Sequence, residues 1–471
     1  MVENWDVIIV GAGTAGIPAA IFAGQRGAKV LLVDAADKIG GTLHLTTGQM
    51  SAAGTSLQKQ LGISDNSNDH FDDVMRISEN TADKDLVRLA VDNAAETFDW
   101  LMTNGFTPLD NHPVLGNAHE PYSERRYYWG PFGGISILDA ITPLLDEQIA
   151  SGNVVVSLRT KLKNIILNKK EVTGIEIQAE DGTNAIINGK NIVLSTGGYS
   201  SNPTLFKELS GPTLYWKGAY PFSNGEGLTI ANNIGGILRG KENYLCGYGA
   251  ILKNFDYPSE VTTRVISHPH LRLPWEIHVN VDGERFFQED YDSVHVREKK
   301  LLEQDKLKAW IVFDDEILKE SPPLLKDFSK EDMISFFSSH PMFYYANDLQ
   351  SLANKSGINS EGLIKTIEEY NFNIENNHPD SFGRVHRPLK IEKPPFYSIC
   401  THGVSITSTV GLLVNSELNI LKENGEPIGN LFAAGEILGS GQTMGKCSAG
   451  GMMLTPALTF GRLLGQKFLS W

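Results

Sequence analysis

The sequence predicts an α/β fold, a doubly wound parallel sheet interrupted by an inserted α+β domain. Three features carry that expectation. The apolar run Asp6-Val7-Ile8-Ile9-Val10 breaks at Gly11-Ala12-Gly13-Thr14-Ala15-Gly16 into a helical pattern, and a second apolar run over 29–33 ends on Asp34. Two later runs, 192–196 and 431–434, again end in glycines or an acid. Between them, aromatic, histidine and charged residues mix with irregular turns, and the strand–glycine–helix rhythm fades. The expected division is 1–202 for the first part of the sheet domain, 203–395 for the insertion and 396–471 for the remainder.

The first run is short, apolar and rich in β-branched residues, the pattern of a strand buried on both faces. Gly11 permits the tight turn that follows. Gly13 lets backbone approach a pyrophosphate at the helix N-terminus, and Gly16 allows close helix–strand packing. At the tip of the second strand the Asp34 carboxylate can accept hydrogen bonds from ribose hydroxyls. Strand, turn, helix, strand and acid in this order point to a bound nucleotide.

Further on, 37–42 and 45–55 are crowded with glycine and small residues, which suits backbone passing close to a ligand. Residues 69–104 and 135–149 show helical spacing, and between them lies the aromatic and basic cluster Tyr122-Ser123-Glu124-Arg125-Arg126-Tyr127-Tyr128-Trp129. Strands are expected at 154–156, 165–167 and 172–177, the last two forming a hairpin around the 168–171 turn. A buried strand at 192–198 returns the chain to the nucleotide. After the insertion, a strand at 431–436 is followed by the glycine-rich stretch 439–451 and a helix over 452–469. Its N-terminus is suited to a negatively polarised group.

The 471 residues carry a net charge of −15, which argues against nucleic acid or an anionic membrane as partner. Cys246, Cys400 and Cys447 form no metal or haem motif and no disulfide framework, so a reducing cytoplasm is expected. With a first strand expected by residue 6, no signal peptide is expected, and no uncharged apolar stretch is long enough to span a bilayer. No metal site is expected: His268, His270 and His278 alternate with apolar residues in a strand-like run, but no carboxylate or cysteine completes a set.

Stretches 10–16 with Asp34, 40–55, 194–198, 281–289 and 431–465 together resemble the soluble FAD-dependent fumarate reductases and 3-ketosteroid dehydrogenases. Residues 352–358 and 369–371 look like that family's cap-domain tail. The resemblance implies a Rossmann-like, glutathione-reductase-type FAD domain with a cap that closes over the flavin. It assigns cofactor contacts to Gly11, Gly13, Ala15, Gly16, Asp34 and Ala35 near the pyrophosphate and ribose. Gly41, Thr42, Thr47 and Gly48 would pass near the flavin, and Thr196 and Gly197 near the adenine side. Gly435 and Glu436 would meet the ribityl chain, with Gly451, Met452, Met453 and Leu454 under the ring. Respiratory relatives link FAD to a histidine just after the first glycine loop; Thr42 stands there, with His44 two positions on, so FAD is expected to be non-covalent. The paired histidines that clamp a carboxylate in fumarate-reducing members are replaced within Thr407-Ser408-Thr409-Val410-Gly411-Leu412. The steroid branch's tyrosine in the last glycine loop is also missing from Lys446-Cys447-Ser448-Ala449-Gly450-Gly451.

The implied chemistry is removal of hydride and a proton from a CH–CH bond beside a carbonyl or carboxylate, as in a cyclic keto acid, ketosteroid or polycarboxylate. Run backwards, the same site is an enoate or enone reductase; a non-catalytic flavin-binding subunit is the further alternative. Electrons would pass to oxygen, a quinone or a carrier protein. Four residues are candidates for catalysis. Arg297 matches a proton-moving arginine of the family, against a surface ion pair with Glu298 or Asp290. Tyr127 and Tyr128 can act as base or acid if a neighbouring cation lowers their pKa, with Arg125 and Arg126 free to clamp a carboxylate, against plain aromatic packing. His402 is either a ligand or proton relay or a hydrogen-bonded structural histidine. The turn at Gly450, Gly451 and Met452 can donate backbone N–H groups to a substrate oxygen or only hold the flavin.

Overall fold

The computed structural model describes residues 4–116, 119–169 and 171–471, so Lys170 of the expected hairpin turn lies outside the described residues. The chain divides into two compact units. The first comprises the chain through Ser210, Ala219–Tyr244 and Thr407–Trp471; the second comprises Gly211–Gly218 and Leu245–Ile406. Residues 203–210 and 219–244 thus belong with the sheet domain and 396–406 with the insertion. The reason is local: the long strand Phe396–Val404 is the spine of the second unit's sheet, and the helix Glu226–Asn233 packs with the first unit.

In the first unit, β1 (Asn4–Val10), α1 (Gly16–Gln25) and β2 (Val30–Val33) form the expected βαβ unit. Helices α2 (Ser67–Ile77), α3 (Lys84–Thr103) and α4 (Gly134–Ala150) follow, then β3 (Val154–Ser157), β4 (Lys161–Asn168), β5 (Glu171–Gln178) and β6 (Asn184–Leu194). The chain re-enters with β7 (Asn419–Leu421) and β8 (Pro427–Ala433) and closes with α5 (Leu454–Leu463), which widens into a π-turn over Leu464–Phe468. Strands β8, β6, β1, β2 and β3 run parallel in that order, while β5 pairs antiparallel with β6 and β4 with β5. Val7, Ile8 and Ile9 are fully buried, as a strand covered on both faces requires.

Register places the site. Val10 pairs with Val33 and with Leu194, and Leu194 pairs with Ala433. Four strand ends therefore share one edge, delivering Gly11, Asp34, Ser195 and Ala434 to the same crevice. A crevice beyond the carboxyl ends of parallel strands is where this architecture binds ligands.

The second unit is the expected α+β domain. Its sheet runs Val261–Arg264, Gly247–Leu252, Phe396–Val404, Lys308–Asp314, Ile277–Val279, with Phe343–Ala346 also paired to the Phe396–Val404 strand, and every pairing is antiparallel. Only His278 of the three alternating histidines lies on a strand; His268 and His270 fall at a turn. Arg285 bonds both Glu289 and Asp380, and Arg272 grips Glu276 through its two terminal guanidinium nitrogens at 2.8 and 2.9 Å. These are buried, matched charges that brace the domain.

Candidate active site

The glycine turn after β1 is drawn around Asp34. Its carboxylate accepts the Ala12 N–H at 2.6 Å and the Ala36 N–H at 2.8 Å. Burial pushes the Asp34 pKa up and these two amides pull it back. Gly11 takes φ +109°, and a Cβ there would run into the Ser195 carbonyl, so only glycine fits. Ala15 caps α1 without a side-chain acceptor; the Ile17 N–H goes to the Gly13 carbonyl at 3.1 Å and Pro18 has none, so Gly16 is the first-turn residue whose N–H is left for an anion among the described residues. A Cβ on Gly13 would meet nothing nearer than the Gly41 Cα at 3.9 Å, so two glycines face one another across an open cradle. The hydroxyls of Thr14 and Thr196 are buried without a protein partner among the described residues. An anion-ready helix start, a glycine-lined cradle and unpaired hydroxyls fit a dinucleotide pyrophosphate and ribose. Glu436, just past β8, accepts the Ser408 N–H at 2.9 Å, and burial raises its pKa against that bond. Thr42 lies in the short turn Gly41–His44, whose His44 Nε2 is bonded to the Ile39 carbonyl at 2.8 Å. Gly48 abuts Gly133, Thr47 is exposed, and Ala35 and Gly197 are half-buried.

The last glycine stretch ends in a turn at Gly450–Gly451 that opens α5. Met452 N–H bonds back to the Ala449 carbonyl at 3.1 Å, so it is not free to donate elsewhere, and Met453 caps the helix without a side-chain bond. Tyr127 lies against Gly450 and donates to Gln49 Oε1 at 2.7 Å. The Tyr128 hydroxyl is taken up by Thr55 Oγ1 at 2.9 Å and the Ala52 carbonyl at 3.3 Å.

Two sequence expectations change here. Arg126 is no carboxylate clamp: it is fully buried and gripped by Asp65 (2.7 Å) and Asp73, while Arg125 is exposed beside Glu124. Nor does a cation bring the tyrosine pKa values down overall. Burial pushes Tyr127 and Tyr128 up, and at Tyr128 the opposing pull of the Thr55 hydrogen bond and of Arg126 does not reverse it. Tyr122, named in the sequence only as part of the aromatic cluster, joins this site with Ser51 and His70, which were not nominated: Ser51 Oγ lies 3.3 Å from the Tyr122 hydroxyl and 3.2 Å from His70 Nε2. Ser51 was visible only as one of many small residues, and nothing in the sequence marked His70.

The remaining candidates lie in the second unit. Arg297, on the helix Val294–Leu302, is 2% exposed, which removes the surface-pair alternative. Its Nη2 donates to the Tyr291 carbonyl at 3.2 Å, and no carboxylate among the described residues bonds to it. Asp290 is occupied by the Val385 and His386 amides, and Glu298 lies near His295. Burial lowers the Arg297 pKa, with Tyr248 and Glu298 opposing through space. His402 is fully buried on the central strand, its Nε2 2.9 Å from the Tyr257 hydroxyl. Burial first, and Lys308 second, push its pKa down to about 3, so it is neutral near pH 7.

Strand-end glycines, a carboxylate past the second strand and a glycine-led final helix define a nucleotide-binding α/β domain. The model of the FAD binding domain family matches residues 6–452. The chain belongs to that family and is an FAD-dependent oxidoreductase. It is 28% identical to a probable fumarate reductase of Shewanella frigidimarina, over 99% of this chain and 75% of that one. A flavocytochrome c3 fumarate reductase solved in an open conformation matches with TM-score 0.71 at 25% identity, covering 98% of this chain and 78% of that one. The 3-ketosteroid delta1-dehydrogenase of Sterolibacterium denitrificans shares the fold, with TM-score 0.74 at 20% identity and 99% of both chains covered. Among the described residues, no helix is long and apolar enough to cross a membrane.

Proposed function

We propose that this flavoenzyme reduces a carbon–carbon double bond conjugated to a carbonyl or a carboxylate. The sequence put the reverse reaction, desaturation, first. The relatives with the higher identities are named reductases, which favours reduction. The observation that carries the reading is Arg297, a buried guanidinium with no carboxylate bonded to it among the described residues. A buried charge without a counterion is costly, and a substrate oxygen that is or becomes anionic would supply one.

Bound FAD supplies hydride exchange at its N5 atom. Gly11, Gly13, Ala15, Gly16 and Asp34 would hold the pyrophosphate and adenosine ribose, and Thr14 and Thr196 present unpaired hydroxyls of the kind such a group satisfies. Glu436 would bond the ribityl chain, and the start of α5 the ring. The His44 ring is turned to the Ile39 carbonyl, which supports non-covalent binding. Arg297 anchors the conjugating carbonyl or carboxylate and neutralises charge gathering on its oxygen; as a group that stays charged it acts as an electrostatic anchor rather than an ordinary base. His402, neutral and bonded to Tyr257, is a hydrogen-bonding ligand rather than a cation. The Thr407–Ser408 stretch does not replace the missing histidine clamp, because Ser408 is bound to Glu436 and to the Tyr199 N–H at 2.7 Å. That disfavours dicarboxylates and favours a substrate with one anchoring group.

The test is anaerobic. Holoenzyme reduced with dithionite is mixed with enones, mono- and dicarboxylic alkenes and their saturated counterparts, following the flavin's visible absorbance. Enones or monocarboxylic alkenes should restore the colour, and saturated compounds should not bleach oxidised enzyme. Bleaching by saturated compounds alone would reverse the direction, and silence from every class would leave a flavin-binding subunit.

A further inference from the structure

We propose that Tyr122 is a positioning residue for the Gly450–Gly451 turn, and through it for the flavin ring. This rests on the reading above that the turn and the start of α5 meet that ring.

Four segments separated in sequence are tied together at one buried point. The Tyr122 hydroxyl donates to the Gly450 carbonyl and reaches Ser51 Oγ at 3.3 Å. Ser51 is strapped to α5 in both directions, its N–H donating to Thr455 Oγ1 at 2.9 Å and its carbonyl accepting from that hydroxyl at 3.0 Å. His70 closes the far side, with Nε2 3.2 Å from Ser51 Oγ and its ring edge-on to Tyr122 at 5.5 Å. Ser51 and His70 are fully buried and Tyr122 is 3% exposed. Burial pushes the Tyr122 phenol up and the His70 imidazole down to about 3, so both are neutral and the cluster keeps one protonation state near pH 7.

The arrangement has a use at Gly450. Thr455 N–H bonds the Gly451 carbonyl at 2.9 Å, which starts the helical ladder one residue later, and the Gly450 carbonyl goes to a phenol instead. Gly451 has φ +80°, and a Cβ there would collide with the Ser51 amide. The turn is thus held by a tight backbone fit on one side and, among the described residues, by two tyrosine hydroxyls on the other: Tyr122 on the Gly450 carbonyl and Tyr127 facing the Gly451 N–H. Without the Tyr122 donor the Gly450 carbonyl loses its partner, and the N–H groups at the helix start are aimed less rigidly. A loosened positive end stabilises the electron-rich reduced cofactor less.

The experiment is a redox titration of Tyr122→Phe holoenzyme beside wild type and Gly451→Ala, with thermal melts of each. Tyr122→Phe should keep FAD yet shift the reduction equilibrium about tenfold toward the oxidised form, roughly 30 mV for a two-electron couple. Gly451→Ala should shift it as well. An unchanged midpoint in Tyr122→Phe with a shifted one in Gly451→Ala overturns the positioning role and leaves the turn at the flavin. Unchanged midpoints in both remove the turn from the flavin and the proposal with it. If Tyr122→Phe does not fold, Ser51→Ala decides: a smaller shift of the same sign supports the role, and none overturns it.

Discussion

Two guanidinium groups, Arg126 in the first unit and Arg297 in the second, are equally hidden and oppositely provided for. Arg126 is fully buried and bonded to Asp65 and Asp73. Arg297 is 2% exposed and bonded only to the Tyr291 carbonyl among the described residues. Burial works to lower both pKa values; the two aspartates reverse that for Arg126, whereas Tyr248 and Glu298 oppose it through space at Arg297 without reversing it. A matched buried charge braces a fold, whereas an unmatched one weakens it and persists where a ligand supplies the partner. Motif reading nominated both arginines for chemistry, and the surroundings leave one.

The comparison breaks most visibly at Arg126. Arg126→Ala strands Asp65 and Asp73 in the interior, and removing one member of such a cluster costs about 3–5 kcal/mol. A denaturant melt should show that loss. A cost below about 1 kcal/mol would mean the cluster is solvated and the contrast with Arg297 false.

A smaller effect concerns the buried histidines. His70 and His402 are both pushed from 6.5 to about 3, so between those values the unfolded chain binds more protons than the native one. Stability therefore falls as pH drops below about 6.5, by up to about 1.4 kcal/mol per pH unit for each histidine. His402→Gln should flatten that slope in melts taken between about pH 7 and about pH 4; an unaltered slope would show the ring already protonated in the native protein. The least of these changes is Thr55→Ala. Thr55 caps the helix Ser56–Gln60 in a capping box, and its partner Gln58 holds Asp65 at 2.7 Å. Losing the cap should cost about 1 kcal/mol in the same melts, with flavin content unchanged.

What could be read from the sequence was what short-range pattern determines. The βαβ unit, the hairpin at β4–β5 and the α+β character of the insertion follow from periodicity and turn residues a few positions apart. Arg126 was misread because its partners lie 61 and 53 residues away, at Asp65 and Asp73. His402 was nominated without its partner, since Tyr257 lies 145 residues off. The expected helix from 452 begins at Leu454 because the Gly450–Gly451 turn is locked by Tyr122 and Ser51, two residues no local rule connects to it. Domain edges were misplaced for a similar reason: strand Phe396–Val404 looks like a return to the sheet domain until its partners in Gly247–Leu252 and Lys308–Asp314 are seen.

The most direct measurement takes Arg297→Gln holoenzyme and reads two quantities from one preparation. With the unmatched charge gone, the melting midpoint should hold or rise, while reoxidation of the dithionite-reduced enzyme by a conjugated alkene slows about a hundred- to a thousandfold. An unchanged reoxidation rate, or a collapse in stability like that of Arg126→Ala, would contradict the account.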